Sequence, residues 1–145
     1  MTQIEWIVLA VGIGMIVFFG LFHLGGLIVL RKLKPKHGQR PYAGTLIAFW
    51  GLLTLHAMEI GLGAYIYAWL TANPGFGTLG GDFGGTTADY LYFSGITFTT
   101  LGYAQAEAEG PIRLFVMLQA LGGFMLITWS ATFLYTIWGE SFRED

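Results

Sequence analysis

"TFTTLGYAQA", Thr97 to Ala106, is a polar, glycine-containing decapeptide set between a short aromatic segment and a long apolar one. Its reading decides the fold, because the chain around it belongs in a bilayer. The 145 residues are 54% hydrophobic and only 11% charged, with a mean hydropathy of +0.61. That is the composition of a membrane protein and argues against a water-soluble core of this size. Crossing roughly 30 Å of hydrocarbon takes about 20 apolar helical residues. Three segments reach that length: Ile4 to Leu30, Tyr42 to Leu70 and Ile112 to Trp138. The first is expected to be a retained helix and not a secretory signal, since "MTQIE" carries no Lys or Arg and the apolar run outlasts a signal's hydrophobic region. With no cysteine, neither a disulfide framework nor a thiolate metal site is available.

Charge sets the expected orientation. Of seven Lys and Arg residues, Arg31, Lys32, Lys34, Lys36 and Arg40 all fall in "RKLKPKHGQR" between the first two spans. The positive-inside rule makes that loop cytoplasmic, the amino terminus external, the stretch from about Thr71 to Pro111 external and the tail "GESFRED" cytoplasmic. A short cationic turn between two spans reads as a topology determinant and not as a nucleic-acid site.

The external stretch changes character along its length. Its first part, "ANPGFGTLGGDFGGTT", carries six glycines and one proline, and an irregular loop is expected over residues 71–86. "GFGTLG" within it matches the dinucleotide pattern G-x-G-x-x-G, but it follows a membrane helix and has no βαβ context, so the match is rejected. The second part, residues 87–99, starts with Thr86 or Thr87 as helix cap and Asp89 in the first turn, where a carboxylate suits the helix dipole. About a dozen residues are too few to span, and fit a re-entrant half-helix. Pro111 suits the start of the last span, residues 112–138. The decapeptide is left as the return limb.

Non-helical backbone at membrane depth survives only where it is buried in protein or lines a water-filled cavity. One chain with three helices cannot enclose such a limb. Several copies around an axis can, and carbonyl rings then stand where a cation's hydration shell would be. The half-helix ends near Thr99, so the negative end of its dipole favours cations.

The residues here carry a resemblance. "YFSGITFTTLGYAQ" resembles the pore loop of the tetrameric potassium channels, in the bacterial two-helix ion-channel-domain family. "TLHAMEIGLGAYIY" and "LQALGGFMLITWSATFLYTIW" are similar to the family's outer and inner helices, so the likeness runs roughly from Thr54 to Trp138. It implies an all-α membrane protein with three transmembrane helices per subunit and a re-entrant pore helix and filter between the second and third. Residues 1–41 would be an additional helix and basic loop, 42–138 the pore domain with outer helix 42–70, and 139–145 a cytoplasmic tail. The implied function is passive conduction of K⁺, or less selectively of monovalent cations, by a homotetramer in a bacterial inner membrane. No enzyme chemistry, cofactor or nucleic acid is implied beyond the permeant K⁺ or Na⁺.

Residue by residue, the resemblance puts Thr100, Leu101, Gly102, Tyr103 and Ala104 at the filter, with backbone carbonyls and the Thr100 hydroxyl as ion ligands, and Thr99 at the end of the pore helix. Two positions depart from the family pattern: Ala104 replaces the second filter glycine and Gln105 the aspartate after it. A left-handed alanine costs roughly 1 to 2 kcal/mol per chain. Gln105 removes a carboxylate from each subunit's filter support, and Glu107 and Glu109 are expected to restore an acidic outer mouth. The alternative these departures favour is a non-conducting accessory subunit with a decayed filter.

His23, His56 and Glu59 are ionisable groups inside spans and call for a function each. His56 and Glu59 lie one turn apart on one face, level with the pore helix, and are expected to pack inside the bundle or to brace the filter from behind. At 1.5 Å per residue, His23 lies roughly 12 Å from Arg31 and His56 about 24 Å from Arg40. That depth difference of roughly 10 Å is expected to keep the two histidines from sharing a metal site. A third alternative is a proton or metal transporter using His23, His56 and Glu59. Gly122 and Gly123 are candidates for a gating hinge or for close helix packing. Gln119, Thr128, Ser130 and Thr132 are candidates for pore-facing polarity, and Trp6, Trp69, Trp129 and Trp138 for interfacial anchors.

Overall fold

The computed structural model describes residues 1–35, 41–102 and 106–142. Helix α1, Gln3–Leu33, opens on a capping box in which the Thr2 hydroxyl accepts from the Glu5 amide and the Glu5 carboxylate accepts from the Thr2 amide. Two of the four orphan amides of a helix start are satisfied that way. Its buried residues, Val8, Gly12, Met15, Phe19, His23 and Leu27, recur every three or four positions and form one narrow stripe. Much of the remaining surface, including Trp6, Ile13, Val17, Phe18 and Leu21, is exposed apolar side chain, as a lipid-facing helix requires.

Helix α2, Pro41–Ala72, runs antiparallel to α1, and α4, Ile112–Phe142, returns beside both. All three are long and apolar enough to cross a membrane. The chain is an all-α membrane protein with three such helices, and the short helix α3, Thr87–Phe98, lies between the second and third. Thr86 caps α3, its hydroxyl accepting from the Asp89 amide while the Thr86 amide and hydroxyl both donate to Asp89 Oδ2 at 2.9 Å. Those bonds, the amide's first, hold the Asp89 carboxyl below its usual range.

Close approach at small residues sets the registers, as expected where lipid supplies no hydrophobic drive between helices. The side chain of Leu118 seats on Gly12 and that of Ile16 on Gly122. His23 faces Trp129 and Lys34 meets Glu140, and every one of these four pairs is separated by the same 106 residues. Helices α1 and α4 therefore run parallel and in register over their whole shared length. Between α1 and α2, Leu55 seats on Gly26 and Leu30 on Gly51.

A two-stranded antiparallel ribbon stands where the sequence reads as irregular loop. Strand β1, Thr78–Gly81, pairs with β2, Ala106–Glu109, with Gly80 opposite Glu107 and Thr78 opposite Glu109. β1 precedes α3 and β2 begins at Ala106, the decapeptide's last residue, so the ribbon ties together the two ends of the re-entrant segment. Below it, Tyr67 of α2 makes edge-to-face contacts with Phe93 of α3 and Phe115 of α4, both at 4.9 Å between centroids. Such pairs add roughly 0.5 to 1.5 kcal/mol beyond their burial and fix α3 between the two long helices.

Candidate functional site: a strained loop end and a polar ring behind it

Helix α3 ends in a Schellman arrangement. The Leu101 amide donates to the Ile96 carbonyl and the Thr100 amide to the Thr97 carbonyl, both at 3.0 Å. The position after the cap, where such a turn needs a left-handed residue, is Thr100 with φ +56°. Glycine is the ordinary occupant, and a β-branched residue there costs about 1 to 2 kcal/mol. Gly102 is left-handed again, at φ +63°, while Leu101 between them is not. Thr99, Thr100 and Gly102 are exposed, and Leu101 is 71% exposed. Backbone strain of this kind persists where the surroundings over-determine it, and it clusters at functional sites.

Thr99 donates its hydroxyl to the Gly95 carbonyl at 2.8 Å, so it is committed to the helix end. Tyr103, Ala104 and Gln105 lie outside the described residues. Glu107 and Glu109 are exposed and project from the same face of β2. An open hollow of about 550 Å³ is lined by Phe93, Thr97, Thr100, Gly102, Glu107 and Arg113 among others, which puts the loop end and Glu107 on one surface.

The polar residues of α4 divide differently from the sequence expectation. Gln119 does not join a polar outward face; it is fully buried, and its amide donates to Ser94 Oγ at 2.8 Å while Ser94 donates to the Ile60 carbonyl at 2.7 Å. That relay fastens α3 to both long helices. Thr128 and Thr132 are exposed and return their hydroxyls to carbonyls one turn back. Gly122 carries Ile16, and Gly123 lies so close to the Phe98 carbonyl that a β-carbon would overlap it. Trp129 packs on the His23 ring at 5.6 Å.

The expectation that His23 and His56 stand at different depths is wrong. Their rings stack at 5.3 Å, and Glu59 lies between them, its two oxygens each 2.9 Å from one Nδ1. Ser130 Oγ closes the far side, 3.1 Å from His23 Nε2 and 2.9 Å from His56 Nε2. The error came from counting both depths from the basic loop as though the two helices ended level. The contacts of Gly26 with Leu55 and Leu30 with Gly51 set a register that puts His23 opposite Met58, and α2 begins roughly 10 Å beyond the level where α1 stops. One donor atom from each of His23, His56 and Glu59 thus lies within 4.8 Å of those of the other two. His23 and Glu59 are buried, and the His56 ring also touches Phe98, the last residue of α3, at 5.4 Å.

Sequence reasoning missed a second tie. Arg31 and Lys34, at the end of α1, bond the two oxygens of Glu140 at 2.9 and 2.8 Å. Their basic character was visible as part of a loop signal, but the partner lies 106 residues away for Lys34.

Three apolar spans, a half-helix between the last two, and an exposed, alternately handed loop end define a membrane protein of the pore-loop class. Residues 55–138 match the family model described as ion channel, and this is more than half of the chain, which therefore belongs to that ion-channel family. Helix α1 lies outside the matched residues. No curated protein and no solved structure matches the chain.

Proposed function

We propose that four copies of this chain assemble around an axis into a cation pore of the potassium-channel type, with residues 100–104 as the filter. The observation that carries this reading is the loop end itself. Thr100 and Gly102 alternate in hand with Leu101, on backbone exposed at the carboxyl end of α3. Lipid cannot satisfy those carbonyls, whereas neighbouring subunits and permeant ions can. The α3 dipole adds negative potential at the same place, and the acidic pair Glu107 and Glu109 adds it above. The permeant ion is K⁺, or monovalent cations less selectively, and the reading requires no cofactor.

The basic loop supports an orientation with the α1–α2 connection in the cytoplasm and the ribbon outside, in a bacterial inner membrane. Ala104 and Gln105 favour a second reading, an accessory subunit that keeps the fold without conducting. Native mass spectrometry from bilayer mimetics gives the stoichiometry, and liposome flux of K⁺, Na⁺ and H⁺, measured beside Ala104→Gly, gives the activity. Four chains and cation flux are expected from the unsubstituted protein. Flux gained only by Ala104→Gly supports the accessory reading, and flux from neither protein overturns conduction.

A further inference from the structure

Glu59, His23, Ser130 and His56 close into a ring of four hydrogen bonds, and no atom of the ring is among the buried polar atoms left without a partner. Each of these bonds requires a proton. An ionised carboxylate supplies none, each neutral imidazole supplies one and a hydroxyl supplies one. Three protons cannot fill four bonds. Nor is the Ser130 hydroxyl engaged elsewhere: Thr128, Thr132 and Thr136 donate to carbonyls four residues back along α4, whereas both contacts of Ser130 Oγ are to imidazoles.

We propose that the ring is a proton-binding site, holding one proton beyond those of an ionised Glu59 and two neutral histidines, and that this proton ties α4 to α1 and α2 at once. The count is the same whether the proton sits on an imidazole or on the carboxyl group. With it the ring is electrically neutral, as a buried group in a membrane should be, and one proton fewer or more leaves a net charge there. Without it, both Nδ1–H groups remain with the carboxylate and two bare Nε2 atoms face a single hydroxyl. Ser130 then bonds one histidine only, and α4 loses its tie either to His23 of α1 or to His56 of α2.

Two aromatic rings pack on the imidazoles. Helix α4 adds Trp129 against His23, and α3 adds Phe98 against His56. Among the described residues, the titratable partners of Glu59 are the two histidines alone. The ring also gives α1, which lies outside the matched pore residues, a direct hold on the last helix.

Solid-state NMR on the full chain in bilayers, with ¹⁵N-histidine and ¹³C-glutamate labels, a chelator present and His37→Gln to remove the remaining histidine, counts the protons on the three groups. Three protons in total on Glu59, His23 and His56 are expected at pH 7. A total of two, with an ionised carboxylate and two neutral imidazoles, or a total of four, overturns the proposal. In Ser130→Ala the carboxylate alone satisfies both Nδ1–H groups. Its proton affinity should fall about tenfold or more, so that the count drops to two at a pH at least about one unit lower. Ser130→Thr should restore the native titration, and an unchanged titration in Ser130→Ala overturns the proposal. The native count decides the matter even where a variant fails to fold, and it does not depend on whether the protein conducts.

Discussion

The carbonyl of Phe98, the last residue of α3, rests against Gly123 in the middle of α4 with no space for a β-carbon between them. The atom in the way is helix backbone just before the strained residues, so it cannot swing aside as a side-chain tip can. Gly123→Ala should destabilise the chain by about 1 to 3 kcal/mol, the usual cost of overpacking. Gly122→Ala meets only the flexible Ile16 side chain at 3.2 Å and should cost less, and Gly61→Ala meets nothing within 4 Å and should be neutral. Thermal unfolding of the three variants in one detergent checks the order.

Thr100→Gly separates strain from chemistry. Glycine adopts φ +56° without a β-carbon penalty, so the variant should gain about 1 kcal/mol of stability. If the hydroxyl serves a permeant ion, the same variant should lose flux or selectivity while Thr100→Ser retains both. A stability loss in Thr100→Gly would count against the left-handed geometry.

Glu140→Gln removes both ion pairs that join the ends of α1 and α4. Arg31 is 65% exposed, Glu140 32% and Lys34 15%, so water screens the Arg31 pair more than the Lys34 pair, and the stability change should come to about 1 kcal/mol and shrink in high salt. Unfolding midpoints at low and high ionic strength measure it.

Acid should loosen the start of α3. The Asp89 carboxyl is held low in the folded chain by Thr86, so its contribution is complete above the unfolded value of about 3.9 and is lost as pH falls through the depressed folded value. Amide exchange at the first turn of α3 should accelerate, relative to the rest of the helix, only below about pH 4. Asp89→Ala should show fast exchange at every pH, and a native chain with no acid-dependent change would contradict the cap.

Local signals made the architecture readable. Apolar length marked the three spans, and Thr86 with Asp89 marked the start of α3 because a capping box lies within four residues. What remained hidden was non-local. The glycine-rich β1 has little strand propensity of its own and is ordered by β2, which follows the whole re-entrant loop. His23, His56, Glu59 and Ser130 each registered as a polar residue in a span, but their union depends on an offset between helix ends that only packing at Gly26 and Gly51 reveals. One sequence does not fix which face of α4 meets α3, and the bond from Gln119 to Ser94 supplies that face. Resemblance alone points to Thr100 as a filter position, and nothing in the sequence signals its left-handed backbone.

The most direct measurement of conduction is a planar-bilayer recording of the purified chain between unequal K⁺ and Na⁺ solutions. Discrete openings are expected, with a reversal potential on the cation side and displaced toward the K⁺ equilibrium value. A silent bilayer with both the native chain and Ala104→Gly, or currents reversing at the anion equilibrium potential, would contradict a cation pore built on residues 100–104.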